Sequence, residues 1–166
     1  MAERHIVGLG GGAGDTPAQT ALLQHYLVGL TGRSQPKLLY LPTALADSVY
    51  SAPDVIDFYE CYRGRAEPSH AFTFPWPPTD LRRLMLGQET ICVSGGNTAN
   101  MLAIWRAHGI DLLLREAWEQ GIVLFGESAG MICWFEHGVT DSFGPQLERD
   151  GMPRLPARER LPALRR

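Results

Sequence analysis

Short apolar runs alternate with stretches of helical periodicity along most of the chain. The apolar runs HIVGLG, KLLYLPTA, AFTFPW, ETICVSG and IVLFG predict five β-strands, at 5–10, 37–44, 71–76, 89–95 and 122–126. Helical periodicity covers residues 16–30, 48–63, 80–86, 98–108 and 111–120. Strands that are apolar on both faces and separated by helices form a mostly parallel sheet with helices on both sides. The pattern therefore predicts an α/β fold, a three-layer α/β/α sandwich.

Glycines and small polar residues follow four of the five predicted strands. The segments are GLGGGAG at 8–14, LPTA at 41–44, SGGNT at 94–98 and GESAG at 126–130. In parallel sheets, ligand sites lie beyond the carboxyl ends of the strands. We therefore expect these segments to meet at one edge of the sheet and to form the functional site there.

GESAG fits the GxSxG pattern of a nucleophile elbow, in which a serine lies in a tight strand-to-helix turn. An apolar strand precedes it and an apolar helical segment, MICWF, follows it, so Ser128 is the predicted nucleophile. Unpaired N–H groups at the start of that helix make the backbone of Ala129 a predicted oxyanion donor. The alternative is a glycine-rich turn with an incidental serine.

The SGGNT loop is the best-placed source of a second oxyanion donor, because glycine lets the backbone approach a ligand closely. Gly96 is the predicted donor, and Gly95 and Asn97 are predicted to contact the substrate. A simple turn in which Asn97 or Thr98 caps the next helix is compatible with that role.

GLGGGAG also contains the spacing GxGxxA, at Gly8, Gly10 and Ala13, which would suit a dinucleotide site. The second strand, however, ends in LPTA and lacks the acidic residue that would bind a ribose. A loop bordering Ser128 is the preferred interpretation, and no cofactor is expected.

Composition and charge narrow the classes of protein to which this chain can belong. The chain has 166 residues, enough for one domain, and its net charge of −3 offers no basic surface for nucleic acid. No apolar run reaches the roughly 20 residues of a membrane span, so no membrane partner and a cytoplasmic location are expected. Three cysteines without CxxC spacing indicate neither a disulfide framework nor a metal site, and each is expected to pack as a small apolar residue.

From residue 149 onwards the sequence is rich in arginine and proline and differs from the preceding α/β pattern. We therefore predict a domain at 1–148, incomplete at its carboxyl end, and a disordered tail at 149–166. A binding arm and a truncated or frame-altered terminus are the alternatives. A partly uncovered core would favour self-association into a homo-oligomer.

The order of these segments, with LFGESAG followed by GVTDS, resembles the peptidase E family of serine peptidases, over about residues 5 to 147. SGGNT and GESAG are its two most specific blocks. The resemblance implies a fold like that of class I glutamine amidotransferases, with serine in place of the nucleophilic cysteine. It also implies a Ser-His-acid triad in which Asp141 is the acid, whereas a solvated turn aspartate is the alternative.

The histidine that the resemblance implies lies further along, in a Pro-His block, and this chain has no histidine after His137. At about 1.5 Å per residue, a continuous helix would place His137 roughly 13 Å from Ser128, beyond hydrogen-bond reach, so His137 can be the base only if the helix ends early. The four other histidines match no family position. They are His5, His25, His70 and His108.

The leading hypothesis is a serine peptidase that hydrolyses short peptides, including dipeptides with amino-terminal aspartate, with low activity because the base is missing. A catalytically silent domain of the same fold that binds a ligand or partner is the first alternative. An α/β-hydrolase esterase is the second, but it needs more chain after the elbow than follows here.

Overall fold

A computed structural model describes residues 3–10, 16–47 and 52–144. Its strands are β1 (Ile6–Leu9), β2 (Lys37–Leu41), β3 (Glu67–His70), β4 (Thr90–Val93) and β5 (Val123–Glu127). Its helices are α1 (Pro17–Gly29), α2 (Ala52–Tyr62), α3 (Leu81–Leu86), α4 (Thr98–His108), α5 (Ile110–Glu119) and α6 (Ala129–Ile132), with a 3₁₀ turn at Thr43–Leu45. The predicted tail at 149–166 lies outside the described residues, as do residues 48–51 of the second predicted helix.

The five strands form one parallel sheet in the order β1-β5-β4-β2-β3. Alternate residues of the central strands enter two separate cores, because successive side chains of a strand point to opposite faces. Leu39, Ile91 and Leu124 lie in a core with α3 to α6. Tyr40 and Phe125 lie in a core with α1 and α2 on the other face. The predicted α/β class and the parallel sheet with helices on both faces are therefore confirmed.

The third strand was predicted at 71–76, and this placement is wrong. The strand is the polar segment Glu67–His70 at the edge of the sheet, paired only with β2. The apolar segment after it is a loop, because the Asp47 carboxylate accepts hydrogen bonds from the backbone N–H groups of Thr73 and Phe74. Phe74 is 67% exposed and Trp76 is 73% exposed, so the second half of this apolar run lies outside the core, whereas Ala71 is buried in it.

Two further boundaries differ from the prediction. Strand β2 ends at Leu41, three residues early, because Pro42 begins a 3₁₀ turn in which the Leu45 N–H donates to the Pro42 carbonyl. Helix α6 ends at Ile132, and single turns follow it up to Phe135. The helix thus ends five residues before His137, so the separation calculated for a continuous helix does not apply.

Candidate active site at the carboxyl edge of the sheet

Ser128 occupies the turn between β5 and α6 with φ 49° and ψ −111°. A positive φ is uncommon for a residue with a Cβ and costs about 1–3 kcal/mol, so the surrounding structure must impose it. The Ser128 N–H donates to the Leu9 carbonyl on β1, and its carbonyl accepts from the N–H groups of Met131 and Ile132, both at 2.9 Å. These bonds hold the turn from both sides and leave the residue exposed at the carboxyl edge.

The two glycines of GESAG are required by close backbone packing. A Cβ at Gly126 would lie 2.5 Å from the Gly130 carbonyl oxygen, and a Cβ at Gly130 would lie 2.3 Å from the Val93 carbonyl oxygen. Both distances are far inside van der Waals contact. The sharp turn at Ser128 therefore depends on glycine at both positions, and α6 lies directly against β4.

Ala129 is the first residue of α6 and is 1% exposed. The first N–H groups of a helix have no partner within that helix and carry a partial positive charge. The backbone N–H of Ala129 is thus the first N–H group of the helix that follows Ser128.

The SGGNT loop lies beside Ser128. A Cβ at Gly95 would lie 3.4 Å from the Ser128 Cβ and 3.7 Å from the Glu127 Cγ. Gly96 has φ 128°, and a Cβ there would lie 2.3 Å from the Ala44 carbonyl oxygen. The loop is tied to the segment after β2, because the Asn97 N–H donates to that same carbonyl at 2.9 Å.

Asn97 is the N-cap of α4. Its Oδ1 accepts from the Asn100 N–H at 2.9 Å, and its Nδ2 donates to the Ser142 carbonyl at 3.0 Å. Both the oxygen and the nitrogen of the Asn97 side-chain amide are thus hydrogen-bonded within the protein. The capping role that was considered beside substrate contact is the one the structure displays.

Asp141 is exposed and lies between two anchored residues. The Ser142 Oγ accepts from the Ala99 N–H at 3.2 Å, and the Thr140 Oγ1 contacts the Thr98 Oγ1 at 3.3 Å. These contacts attach the segment 140–142 to the start of α4, immediately after the SGGNT loop. Asp141 is therefore held on the same edge of the sheet as Ser128.

No histidine among the described residues is hydrogen-bonded to Ser128 or to Asp141. His70 ends the edge strand β3, three strand spacings from β5, or about 14 Å at the usual 4.8 Å per spacing. His5 lies at the opposite, amino edge of the sheet, and His137 is exposed after α6.

Comparison with known proteins agrees with this arrangement. The model of peptidase family S51 matches residues 6–155. The chain belongs to peptidase family S51. It is 41% identical over 143 residues to YgaJ, an uncharacterized peptidase of Bacillus subtilis strain 168, a match that covers 86% of this chain and 61% of that protein.

The fold is also similar to a solved structure of this type. A candidate peptidase E of Listeria monocytogenes EGD-e superposes with a TM-score of 0.60 at 17% identity, over 85% of this chain and 68% of that one. The predicted peptidase E fold and the resemblance to that family are thus confirmed, and the α/β-hydrolase alternative is wrong. The chain spans 61% of the length of its Bacillus relative.

For this S51 family chain, the first glycine-rich segment has a packing role. A Cβ at Gly8 would lie 2.7 Å from the Met131 Cγ, so the glycine lets α6 approach β1. Positions 11–14 of that segment, with Ala13 among them, lie outside the described residues. A dinucleotide is therefore not needed to explain glycine at position 8.

Glu127 is a residue that the sequence analysis missed. It ends β5 immediately before Ser128 and lines a cavity of about 190 Å³ between α1, α2 and the sheet. A charged residue at the end of an otherwise apolar strand was the available signal. It was overlooked because GxSxG places no requirement on that position.

The cysteines divide into two kinds. Cys92 and Cys133 are buried, and burial raises the pKa of both thiols, which keeps them protonated and unreactive at neutral pH. Cys61 is exposed, so its expected packing as a small apolar residue is wrong.

The described ranges, 3–10, 16–47 and 52–144, contain neither a membrane-spanning helix nor a cluster of metal-ligating side chains. No helix there is long and apolar enough to cross a membrane. Nor does this part of the chain contain three or more His, Cys, Asp or Glu side chains placed to hold a metal ion.

Proposed function

We propose that this chain is a serine peptidase of the peptidase E type that hydrolyses short peptides through an acyl-enzyme on Ser128. The observation that carries the proposal is the backbone of Ser128, a strained positive-φ turn between a buried strand and a helix start. Membership of peptidase family S51 supports the same reaction class.

In this proposal the Ser128 Oγ attacks the scissile carbonyl carbon and loses its proton to a base, while the carbonyl oxygen becomes an oxyanion. The backbone N–H groups of Ala129 and Gly96 donate to that oxyanion. The amine then leaves with a proton, and water releases the acyl group from Ser128. Asp141 orients the base, and Gly95 contacts the substrate beside the serine.

The activity of this chain alone is expected to be low. The described residues place no histidine at Ser128, and an oxyanion hole with binding alone leaves roughly 10³- to 10⁴-fold catalysis over water. Added imidazole is a small general base that can occupy the space of a missing histidine side chain. We therefore expect imidazole to raise the rate of peptide hydrolysis.

The test compares the unchanged chain with Ser128→Ala and with Ser34→Ala, an exposed serine before β2. Release from aspartyl p-nitroanilide and from a panel of dipeptides is measured with and without imidazole. The proposal expects an imidazole-dependent rate in the unchanged chain and in Ser34→Ala that Ser128→Ala lacks. Equal rates in all three proteins under both conditions would overturn it.

A second candidate is a catalytically silent domain that binds a ligand or partner. The observation that favours it is that no histidine in the described part of the chain is hydrogen-bonded to Ser128. It expects no imidazole-dependent hydrolysis but retained binding of short peptides to the Ser128→Ala variant. A dipeptidase preference for amino-terminal aspartate belongs to the first proposal and is read from the same substrate panel.

A further inference from the structure

A cavity of about 190 Å³ lies between α1, α2 and the sheet, on the face opposite α4 and α5. Its walls are mostly apolar, with Leu23, Leu27, Phe58 and Phe125 among them. Three acidic residues also line it, and no Lys, Arg or His does, so the described lining carries only negative formal charge. They are Asp54 and Asp57 of α2 and Glu127 of β5.

Two of these carboxylates, from different elements, line the cavity together with Tyr40. Burial raises the pKa of the Tyr40 hydroxyl, and the charges of Cys92, Asp54 and Glu127 raise it further. Both carboxylates therefore lie close enough to Tyr40, on the sheet floor of the cavity, to act on the same atom. Carboxylates from a helix and from a strand thus converge on one volume.

Two buried polar side chains line the same cavity. Gln24 is 7% exposed and Tyr62 is 6% exposed, and both line the cavity. Within the described residues, neither the Gln24 amide nor the Tyr62 hydroxyl makes a hydrogen bond. Because both side chains line the cavity, their polar atoms are available to a bound ligand.

The cavity extends to Glu127, the residue before the candidate nucleophile. Glu127 is bonded directly to Ser128, and a Cβ at Gly95 would lie within 3.7 Å of both the Glu127 Cγ and the Ser128 Cβ. A group bound in the cavity and a carbonyl group at Ser128 can therefore belong to one small substrate.

We propose that this cavity binds an alkylammonium group of the substrate, such as a lysine side chain. The inference deepens the proposed function and names a substrate class for the same site. Apolar walls suit the methylene stem, and the carboxylates suit the charged head. A compact ammonium with three donors fits carboxylates that arrive from different elements better than a planar guanidinium, which prefers one carboxylate face.

The test measures equilibrium binding to the Ser128→Ala variant, which cannot form an acyl-enzyme, so loss of hydrolysis cannot mask the result. The probe is N-acetyl-lysine methylamide, titrated by calorimetry or by NMR. N-acetyl-norleucine methylamide is the neutral match, N-acetyl-arginine methylamide is the guanidinium match, and alanine amide presents only an α-ammonium.

We expect the lysine probe to bind at least about tenfold more tightly than each of the other three, the effect of a charge-assisted hydrogen bond. Glu127→Gln and Asp54→Asn should each weaken it by a similar factor. Asp54 lies on an exposed helix surface, so its variant tests the idea even if Glu127→Gln fails to fold. Glu67→Gln, an exposed residue outside the cavity, is the control and should bind like the parent.

Equal affinity for the lysine and norleucine probes would overturn the inference, as would no binding of any probe. Equal or tighter binding of alanine amide would mean that the cavity binds the α-ammonium group of a peptide. That result would overturn the assignment to a side chain. Equal or tighter binding of the arginine probe would overturn the choice of ammonium. Binding of the lysine probe in a chain that shows no hydrolysis would leave this inference standing and the peptidase proposal contradicted.

Discussion

Ser128 owes its conformation to residues that have no side chain. Gly126 and Gly130 allow β4, β5 and α6 to approach so closely that the chain must turn sharply between strand and helix. The positive φ of Ser128 is the consequence, and it directs the side chain out of the sheet. The backbone strain at Ser128 is thus offset by the tight packing at Gly126 and Gly130.

At this scale, Gly130→Ala is the sharpest test. Its Cβ would lie 2.3 Å from the Val93 carbonyl oxygen, which belongs to the central strand β4 and cannot move without breaking the sheet. We expect the free energy of unfolding to fall by about 3 kcal/mol or more, measured by urea denaturation.

Gly29→Ala is the matched control for that prediction. Gly29 is the last residue of α1, and nothing lies within 4 Å of a Cβ there. The control should leave stability unchanged or raise it by about 0.4–1 kcal/mol, because alanine restricts the unfolded chain. Similar effects of the two substitutions would contradict the packing argument.

At the scale of elements, the segment 140–142 is attached to the start of α4. Ser142 accepts from the Ala99 N–H through its Oγ and from the Asn97 side chain through its carbonyl. These bonds satisfy a free donor at the helix start and hold Asp141 at the carboxyl edge. The position of the predicted triad acid therefore depends on capping interactions.

Ser142→Ala removes the acceptor for the Ala99 N–H. We expect stability to fall by about 1 kcal/mol, the usual cost of a lost capping bond, together with faster hydrogen exchange of the Ala99 amide. Ser34→Ala, in an exposed turn, should alter neither quantity. Unchanged Ala99 exchange in Ser142→Ala would refute the attachment.

For the whole molecule, the two cores bury groups that ionise at alkaline pH. Cys133 lies in one core, and Cys92, Tyr40 and Tyr62 lie in the other. Burial is the main cause that raises the pKa of each of them above its ordinary value, 9.0 for cysteine and 10.0 for tyrosine. The folded state therefore opposes their ionisation.

The sign of the resulting pH dependence follows from linkage. Raised folded-state pKa values leave stability intact below the unfolded pKa, and stability is lost as pH rises above it because the unfolded chain releases protons first. We expect the free energy of unfolding to be level up to about pH 8.5 and then to fall by about 1.4 kcal/mol per pH unit for each ionising group.

Urea denaturation between about pH 7 and pH 10.5 measures this fall. In Cys133→Ala, the free energy of unfolding should fall less steeply above pH 9, because one ionising group has been removed. This should hold even though the variant is less stable at neutral pH. A free energy that stays level to pH 10.5 would contradict the burial of ionisable groups in both cores.

The sequence by itself determined the α/β class, the parallel sheet and the family. These properties follow from local features of the sequence, which can be recognised without knowing how the chain packs. The features are apolar runs of strand length, helical periodicity between them, and the pair SGGNT and GESAG. The placement of β3 could not be read this way. A strand at the edge of the sheet does not need an apolar face, so the polar segment could form β3. The backbone N–H groups of Thr73 and Phe74, in the apolar segment, donate to the Asp47 carboxylate and not to a neighbouring strand.

Only the tertiary structure decided how the residues at the carboxyl edge relate to one another. It placed Gly95 against both Ser128 and Glu127, attached the Asp141 segment to α4, and located no histidine of the described chain at the serine. It also joined Glu127 with Asp54 and Gln24 around one cavity, although the three stand on three different elements. Sequence spacing cannot give such distances, because they depend on which strands pair and which helix covers each face.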